Sequence, residues 1–247
     1  MGRELQVNGI IIKKVKFRET SLILDVFTPR LGKINVIAKG VRKANSKDIG
    51  LFEILNELEF ELYKNPQSEW YIYKTSSLTQ AHLFNINYTC SILLQAAVEV
   101  IRQIIIPEDD SKAVYSLLTE YFKFTKQVNK NGIAIFWRFL LKLTKIIGIE
   151  INIIDCVICS KNKKFSAYFP QKHGFICEAC YHPGFDDQIF KINKDSAEIL
   201  RIMHSIGNSL NELSISKSTV KQLNQIFLIH LAEHFHKKIH LKSMELL

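Results

Sequence analysis

The sequence has no long uninterrupted apolar run. Its first twenty residues include Arg3, Lys13 and Arg18 among other charged side chains, and they lack the apolar segment of a secretory signal. Lys142 and Lys145 interrupt the apolar stretch at 139–149, so we expect no membrane-spanning helix and no membrane partner. These absences predict a cytoplasmic protein, in which paired cysteines bind metal more often than they form disulfides.

Proline and glycine are scarce in this chain. The 247 residues include five prolines and ten glycines, while hydrophobic residues make up 47% and charged residues 23%. This composition excludes the disordered and fibrous classes, and it is sufficient for a packed core in one or two domains.

The local motifs of several common enzyme classes are also missing. The sequence has no GxxxxGK[ST] phosphate loop, no GxGxxG dinucleotide motif and no GxSxG nucleophile elbow. The HxE and PCxxC elements of zinc deaminases do not occur either. The sequence therefore favours a binding protein over an enzyme.

Positive charge is in excess and is unevenly distributed. The formal net charge is +9, and residues 1–50 hold eleven lysines and arginines against four acidic residues, whereas residues 51–110 hold three against nine. A basic N-terminal region and a second one at 111–247 indicate a polyanionic partner such as nucleic acid. A lysine-rich surface that only maintains solubility is the alternative interpretation.

Short strand patterns dominate the first eighty residues. Residues 57–62 alternate strictly between acidic and apolar side chains, as a half-buried strand does. Similar patterns predict strands at Val7–Phe17, Ser21–Phe27, Ile34–Ala38, Glu57–Leu62 and Trp70–Thr75. Five short strands in residues 1–80 predict a small closed barrel of the OB-fold type, with an SH3-like barrel as the competing architecture.

The apolar period changes to that of helices from about residue 88. Helices are predicted from there to Pro107, from Ser111 to Lys126, from Ile133 to Ile147, from Asn193 or Lys194 to Ile206, and after Ser218. The predicted fold class is therefore α+β. It comprises a five-stranded OB-fold barrel at 1–80, followed by an α-helical domain at 81–247 with an inserted four-cysteine zinc ribbon at 154–185.

Four of the five cysteines form two CxxC motifs. Cys156-Val-Ile-Cys159 and Cys177-Glu-Ala-Cys180 are separated by seventeen residues, which is typical of a zinc ribbon. Four thiolates complete a tetrahedron and leave no open position, so we predict one structural Zn²⁺ per chain. Buried free cysteines or a redox pair are the alternatives. His173 or His182 could replace one ligand, and Cys90, alone on an apolar helix, is predicted to be a core residue.

The last helix contains His230-Leu-Ala-Glu-His234, which matches the HxxEH pattern of inverted zinc peptidases. The two histidines are four residues apart and share one face of a helix. Peptidase chemistry needs a third protein ligand, normally an acidic residue further along, and only thirteen residues follow His234. We therefore expect this face to be solvated and weakly basic.

Basic residues are crowded around the third predicted strand. The candidate DNA-binding residues are Arg30, Lys33, Lys39, Arg42, Lys43 and Lys47. A loop after the strand could place such cations along a phosphate backbone, while barrel aromatics stack on bases. The aromatic candidates are Phe17, Phe27, Trp70, Tyr71 and Tyr73, and the alternative is that they fill the barrel core.

Several segments, taken in this order, resemble the RecO family of bacterial recombination mediators over nearly the whole chain. They are Gly9–Ile12, Glu19–Leu24, Phe27-Thr-Pro-Arg-Leu-Gly-Lys33, Ala38-Lys-Gly-Val-Arg-Lys43, the two CxxC motifs, and the closing His230–Ser243 with its Leu-Lys-Ser tail.

The resemblance implies an OB-fold that binds single- and double-stranded DNA and anneals complementary strands. It also implies a complex with RecR, contact with single-strand-binding protein and, indirectly, loading of RecA. The DNA-binding role is carried over to Lys33, Lys39, Arg42 and Lys43, whereas Lys47 only extends the cluster. An RNA-binding or ribosome-associated zinc-ribbon OB protein is the main alternative, and a zinc hydrolase acting through the last helix is the third hypothesis.

Overall fold

The computed structural model describes residues 2–162, 164–182, 184 and 189–247. The chain divides into two compact units. The first comprises Met1–Phe122 and Lys242–Leu247, and the second comprises Lys123–Leu241. The domain boundary near residue 80 stays a prediction. None of the helices in the described part of the chain combines the length and the apolar character that a membrane crossing requires.

Five strands form a closed barrel in the first unit. They are β1 (Arg3–Phe17), β2 (Ser21–Thr28), β3 (Gly32–Ala38), β4 (Asn56–Lys64) and β5 (Tyr71–Ala81). The order around the barrel is β1-β2-β3-β5-β4, with β3 and β5 parallel and the other pairs antiparallel. This confirms the predicted five-stranded barrel of the OB type over the SH3-like alternative.

The long strand β1 closes the barrel because it pairs with two neighbours. Its first half pairs with β4, from Arg3 opposite Lys64, and its second half pairs with β2, ending at Phe17 opposite Ser21. Gly9 lies where these halves meet, and a Cβ atom there would lie 2.4 Å from Cγ1 of Val26. Only glycine fits this close approach of two strands.

The barrel core follows the alternation that the sequence contains. In β4 the side chains of Leu58, Phe60 and Leu62 are fully buried, while the glutamates between them face outward. The segment between β3 and β4 contributes Val41 and Phe52 to the same core. This segment is therefore packed onto the barrel at two points.

One helix and most of a second helix complete the first unit. They are α1 (Tyr88–Gln103), which Asn87 caps by accepting a hydrogen bond from the amide of Cys90, and α2 (Ser111–Gln127). Cys90 is buried, as predicted. Near the C-terminal end of the sequence, Ser243 lies on α1, where both its amide and its hydroxyl donate to the carboxylate of Glu99.

A polar trio is enclosed between the barrel and α2. The carboxylate of Glu57 accepts a hydrogen bond from the Tyr115 hydroxyl at 2.8 Å, and its second oxygen lies 3.2 Å from Nε2 of His82. His82 is 3% exposed, and burial, followed by the charge of Glu57, raises the pKa of Tyr115. Tyr115 therefore stays a neutral donor at all ordinary pH values.

Replacing Tyr115 by phenylalanine is expected to destabilise the protein by about 1–3 kcal/mol, because a largely buried carboxylate loses a hydrogen-bond donor. Urea unfolding measures this loss. Tyr88→Phe is the control, since Tyr88 is 64% exposed. Equal stability of the two variants would contradict a structural role for the trio.

The second unit packs helices around a small sheet. Its helices are α3 (Gly132–Ile146), α4 (Lys194–Arg201) and α5 (Lys217–Phe235), and its strands are β6 (Asn152–Cys156), β7 (Phe165–Phe169), β8 (Gly174–Cys177) and β9 (Phe190–Lys191). The strand order is β6-β8-β7-β9. The helix predicted to reach Ile206 ends at Arg201, and a 3-10 segment, Met203–Asn208, follows it.

Candidate metal centre and nucleic-acid interface

The structure brings the four predicted metal ligands together. One sulfur from each of Cys156, Cys159, Cys177 and Cys180 lies within 4.8 Å of the others, and Sγ of Cys159 is 3.9 Å from Sγ of Cys177. Zinc–sulfur bonds of about 2.3 Å place tetrahedral sulfurs roughly 3.8 Å apart. The spacing of these donors therefore fits a tetrahedral Zn²⁺ site.

Both CxxC motifs form the same kind of turn. The amide of Ser160 donates to the carbonyl of Cys156 at 2.8 Å, and the amide of Tyr181 donates to the carbonyl of Cys177 at 3.0 Å. In each case the chain reverses over four residues and points both of its sulfurs to one side. The β7–β8 hairpin, with Pro170–Lys172 as a 3-10 turn, connects the two turns.

Hydrogen bonds prepare one sulfur for ionisation. Burial raises the pKa of the Cys156 thiol, but hydrogen bonds from backbone amides, including that of Cys177, outweigh burial and lower the pKa to about 6. Hydrogen bonding to Cys159 is the main cause that raises the pKa of Cys180 to about 12. Crowded thiolates repel one another, so this donor set suits a divalent cation that neutralises them.

The six predicted DNA-binding residues do not form one cluster. Arg30 and Lys33 lie at the beginning of β3, whereas Lys39, Arg42, Lys43 and Lys47 follow its end. A strand of seven residues spans roughly 23 Å, so the two groups lie at opposite ends of β3. We name residues 39–47 the basic loop.

The basic loop is tethered to the barrel. Val41 is 3% exposed and packs in the barrel core, and the amide of Arg42 donates to the carbonyl of Thr20 at 2.9 Å. The guanidinium of Arg42 also donates to the carbonyl of Arg18. The loop backbone is thus fixed, while the side chains of Lys39, Lys43 and Lys47 are exposed.

Two further cations lie beside the basic loop and were not predicted as site residues. Arg18 is exposed in the β1–β2 turn, where its guanidinium lies 5.2 Å from the centroid of the Phe17 ring, and Lys16 is exposed near the end of β1. Across the described residues, neither side chain takes part in an ion pair. Leu22, at the start of β2, pairs with Ala38, at the end of β3, and this pairing places the β1–β2 turn next to the basic loop.

At the other end of β3, the two predicted cations differ in environment. The ammonium group of Lys33 donates to the carbonyls of Ile101 and Ile104, where it neutralises the C-terminal end of α1. Arg30 instead lines a cavity of about 510 Å³ together with Arg3, Lys64 and Tyr71. Lys33 therefore has a structural partner, whereas Arg30 belongs to a separate, predominantly basic groove that also contains Glu4.

The candidate aromatic residues fall into a buried group and a more exposed group. Phe27 is fully buried against Tyr115, and Tyr73 packs edge-on against Phe52 in the barrel core. Phe17 and Tyr71 are half-buried, and Trp70 is 36% exposed. Phe27 and Tyr73 therefore fill the core, and only the other three can reach a base.

The prediction of a solvated histidine face on α5 is wrong. His230 is fully buried, and its ring centroid lies 4.7 Å from that of His234 and 5.7 Å from that of His173. Burial is the main cause that lowers the pKa of His230 to about 4, so the ring is neutral. His230 follows Phe227 and Ile226 at helical spacing, which places it on the buried face of α5.

Comparisons with known proteins agree over most of the chain. The family model for Recombination protein O N terminal matches residues 1–82, and that for Recombination protein O C terminal matches residues 87–245. A protein of Acetivibrio thermocellus named DNA repair protein RecO is 24% identical, covering 94% of this chain and 92% of that protein. Its namesake in Clostridium perfringens is 25% identical, covering 98% and 97%.

Proposed function

Since the chain belongs to the RecO family of DNA repair proteins, we propose that it is a recombination mediator without enzymatic activity. In this role it binds single- and double-stranded DNA, anneals complementary strands and acts with RecR and single-strand-binding protein to assist RecA loading. It works in the bacterial cytoplasm, associated with the nucleoid.

The observation that carries the DNA-binding proposal is the basic loop and its surroundings. Exposed cations from three segments, the end of β1, the β1–β2 turn and the basic loop, share one end of the barrel. Phosphate contacts of this kind need no base-specific geometry, so they suit a protein that accepts any sequence. The half-buried Phe17 beside Arg18 adds a ring at the same end for stacking.

The cysteine centre supports a structural zinc ion. Cys156, Cys159, Cys177 and Cys180 would hold it, and four protein ligands leave no position for a substrate. The ion would supply cross-linking of the two CxxC turns, and the ribbon would fold around it. This assignment agrees with a protein that binds and positions nucleic acid without cleaving it.

A competition experiment tests the choice of DNA over RNA. Labelled single-stranded DNA is bound at about 0.1 M salt and challenged with unlabelled DNA or RNA of the same sequence and length. We expect DNA to compete better, because the proposed role is in DNA repair. Stronger competition by RNA would support the RNA-binding alternative instead.

A further inference from the structure

Three histidines from two distant segments meet in the second unit. His173 follows the 3-10 turn of the β7–β8 hairpin, and His230 and His234 lie on successive turns of α5. One ring nitrogen from each lies within 4.8 Å of the others. The rings of His173 and His234 are closest, with centroids 4.3 Å apart.

Two of these rings present nitrogens that have no partner within the protein. In the described part of the chain, Nδ1 of His173 and Nε2 of His234 are buried and form no hydrogen bond. Buried polar atoms are almost always hydrogen-bonded, and an exception can mark a position for a water molecule or an ion. Two such atoms side by side are therefore difficult to explain by packing alone.

The third ring is oriented in the way that metal-binding histidines are. Nε2 of His230 lies 2.6 Å from the carbonyl oxygen of Ile149, so this nitrogen carries the proton and donates. Nδ1 is therefore unprotonated, and its lone pair accepts a hydrogen bond from the Tyr168 hydroxyl at 3.0 Å, which a bound metal ion would displace. A backbone carbonyl that fixes the remote N–H is the usual support of a histidine ligand.

We propose that His173, His230 and His234 form a second metal site, which binds a divalent transition-metal ion of the zinc type. Three imidazoles suit zinc, nickel or copper and disfavour magnesium and calcium, which take oxygen ligands. Bonds of about 2.05 Å require nitrogens roughly 3.3 Å apart, so the three nitrogens, which lie within 4.8 Å of one another, would move closer together when the ion binds. The Tyr168 hydroxyl, 3.0 Å from Nδ1 of His230, is a candidate for a fourth ligand.

Such an ion would fasten the zinc-ribbon hairpin to the last long helix. His173 is held at the end of the hairpin turn in the left-handed conformation, with φ of 51°, and its amide donates to the carbonyl of Pro170. The site thus connects a turn of the ribbon to the last turns of α5. Loading it is expected to stabilise this pairing of elements within the second unit.

Cobalt binding to the full chain tests the proposal, because cobalt distinguishes sulfur from nitrogen ligands. The chelator-treated wild type is expected to bind two Co²⁺ per chain, of which one shows thiolate-to-cobalt charge-transfer absorption. The double variant H173Q/H234Q should bind one, with the charge-transfer absorption intact. His204→Gln, at an exposed histidine outside the cluster, should still bind two.

The wild type alone can overturn the proposal. A single cobalt per chain that shows the full thiolate absorption would leave the histidines without a metal. The same conclusion would follow if H173Q/H234Q, with a wild-type circular dichroism spectrum, retained both ions. Zinc-dependent thermal unfolding adds a second readout, since the double variant should lose only the part of the zinc-induced shift that the histidines provide.

Discussion

Replacing Cys177 by serine is expected to remove the cysteine-bound zinc completely and to unfold the ribbon locally. Cys177 is fully buried at the end of β8, and its amide donates to Sγ of Cys156. Structural zinc contributes about 10–16 kcal/mol of apparent binding free energy, so its loss removes the main force that closes the two CxxC turns. Elemental analysis and cobalt charge-transfer absorption measure the loss.

The fifth cysteine provides the matched control for this variant. Cys90 is also buried, but it lies on α1 in the first unit. Cys90→Ala should therefore keep the charge-transfer absorption, although it leaves a small cavity in the core. A Cys177→Ser protein with unchanged absorption and unchanged unfolding would show that these sulfurs do not hold a metal.

Replacing Lys39, Arg42 and Lys43 together by alanine is expected to weaken binding of single-stranded DNA by about 100-fold at 0.1 M salt. Each phosphate contact contributes roughly 0.7 to the slope of log K against log salt, so three contacts contribute about two units. The loss should be similar for different base sequences, because phosphate contacts carry no sequence information. Fluorescence anisotropy over a series of salt concentrations measures both quantities.

A charge-matched variant distinguishes the loss of contacts made by the basic loop from the effect of a lower net charge. Arg102, Lys112 and Lys123 are exposed helix residues, and replacing all three by alanine changes the net charge equally. This control should keep most of the affinity and nearly the same slope. If the loop variant instead behaved like the control, the DNA-binding surface would lie elsewhere, with Arg30 and its groove, or the exposed Lys237 and Lys238, as the next candidates.

The barrel strands could be predicted from sequence because each strand is specified by a pattern of neighbouring residues. The alternation of Leu58, Phe60 and Leu62 with glutamates specifies which face of β4 is buried, whatever its neighbours are. The two CxxC turns are local in the same sense, since each is closed by hydrogen bonds within five residues. Such features need no knowledge of the tertiary fold.

The spatial distribution of the cations could be predicted only in part from local sequence. Arg30 and Lys39 are close in sequence, yet a whole strand separates them, and strand length alone could have shown this. The partners of Lys33 could not be predicted, because the carbonyls it meets belong to α1. Proximity in sequence therefore grouped cations that the structure places at opposite ends of β3.

The histidine cluster depends entirely on tertiary packing. Nothing in the sequence around His173 indicates that the hairpin turn packs on α5. The third candidate ligand beside His230 and His234 therefore could not be predicted from the sequence. The burial of His230 could have been predicted, because Leu223, Ile226 and Phe227 lie on the same helical face. The polar trio around Glu57 is a similar case, since it joins a strand, the end of the barrel and α2.

The rate at which two complementary DNA strands anneal tests the central proposal most directly. Two labelled oligonucleotides are mixed with the purified protein in the absence of any nucleotide cofactor, and duplex formation is followed by energy transfer. We predict faster annealing with the wild type than without protein, slower annealing with the K39A/R42A/K43A variant, and strands that stay intact. No acceleration by the wild type, or cleavage of the strands, would contradict a non-enzymatic annealing mediator.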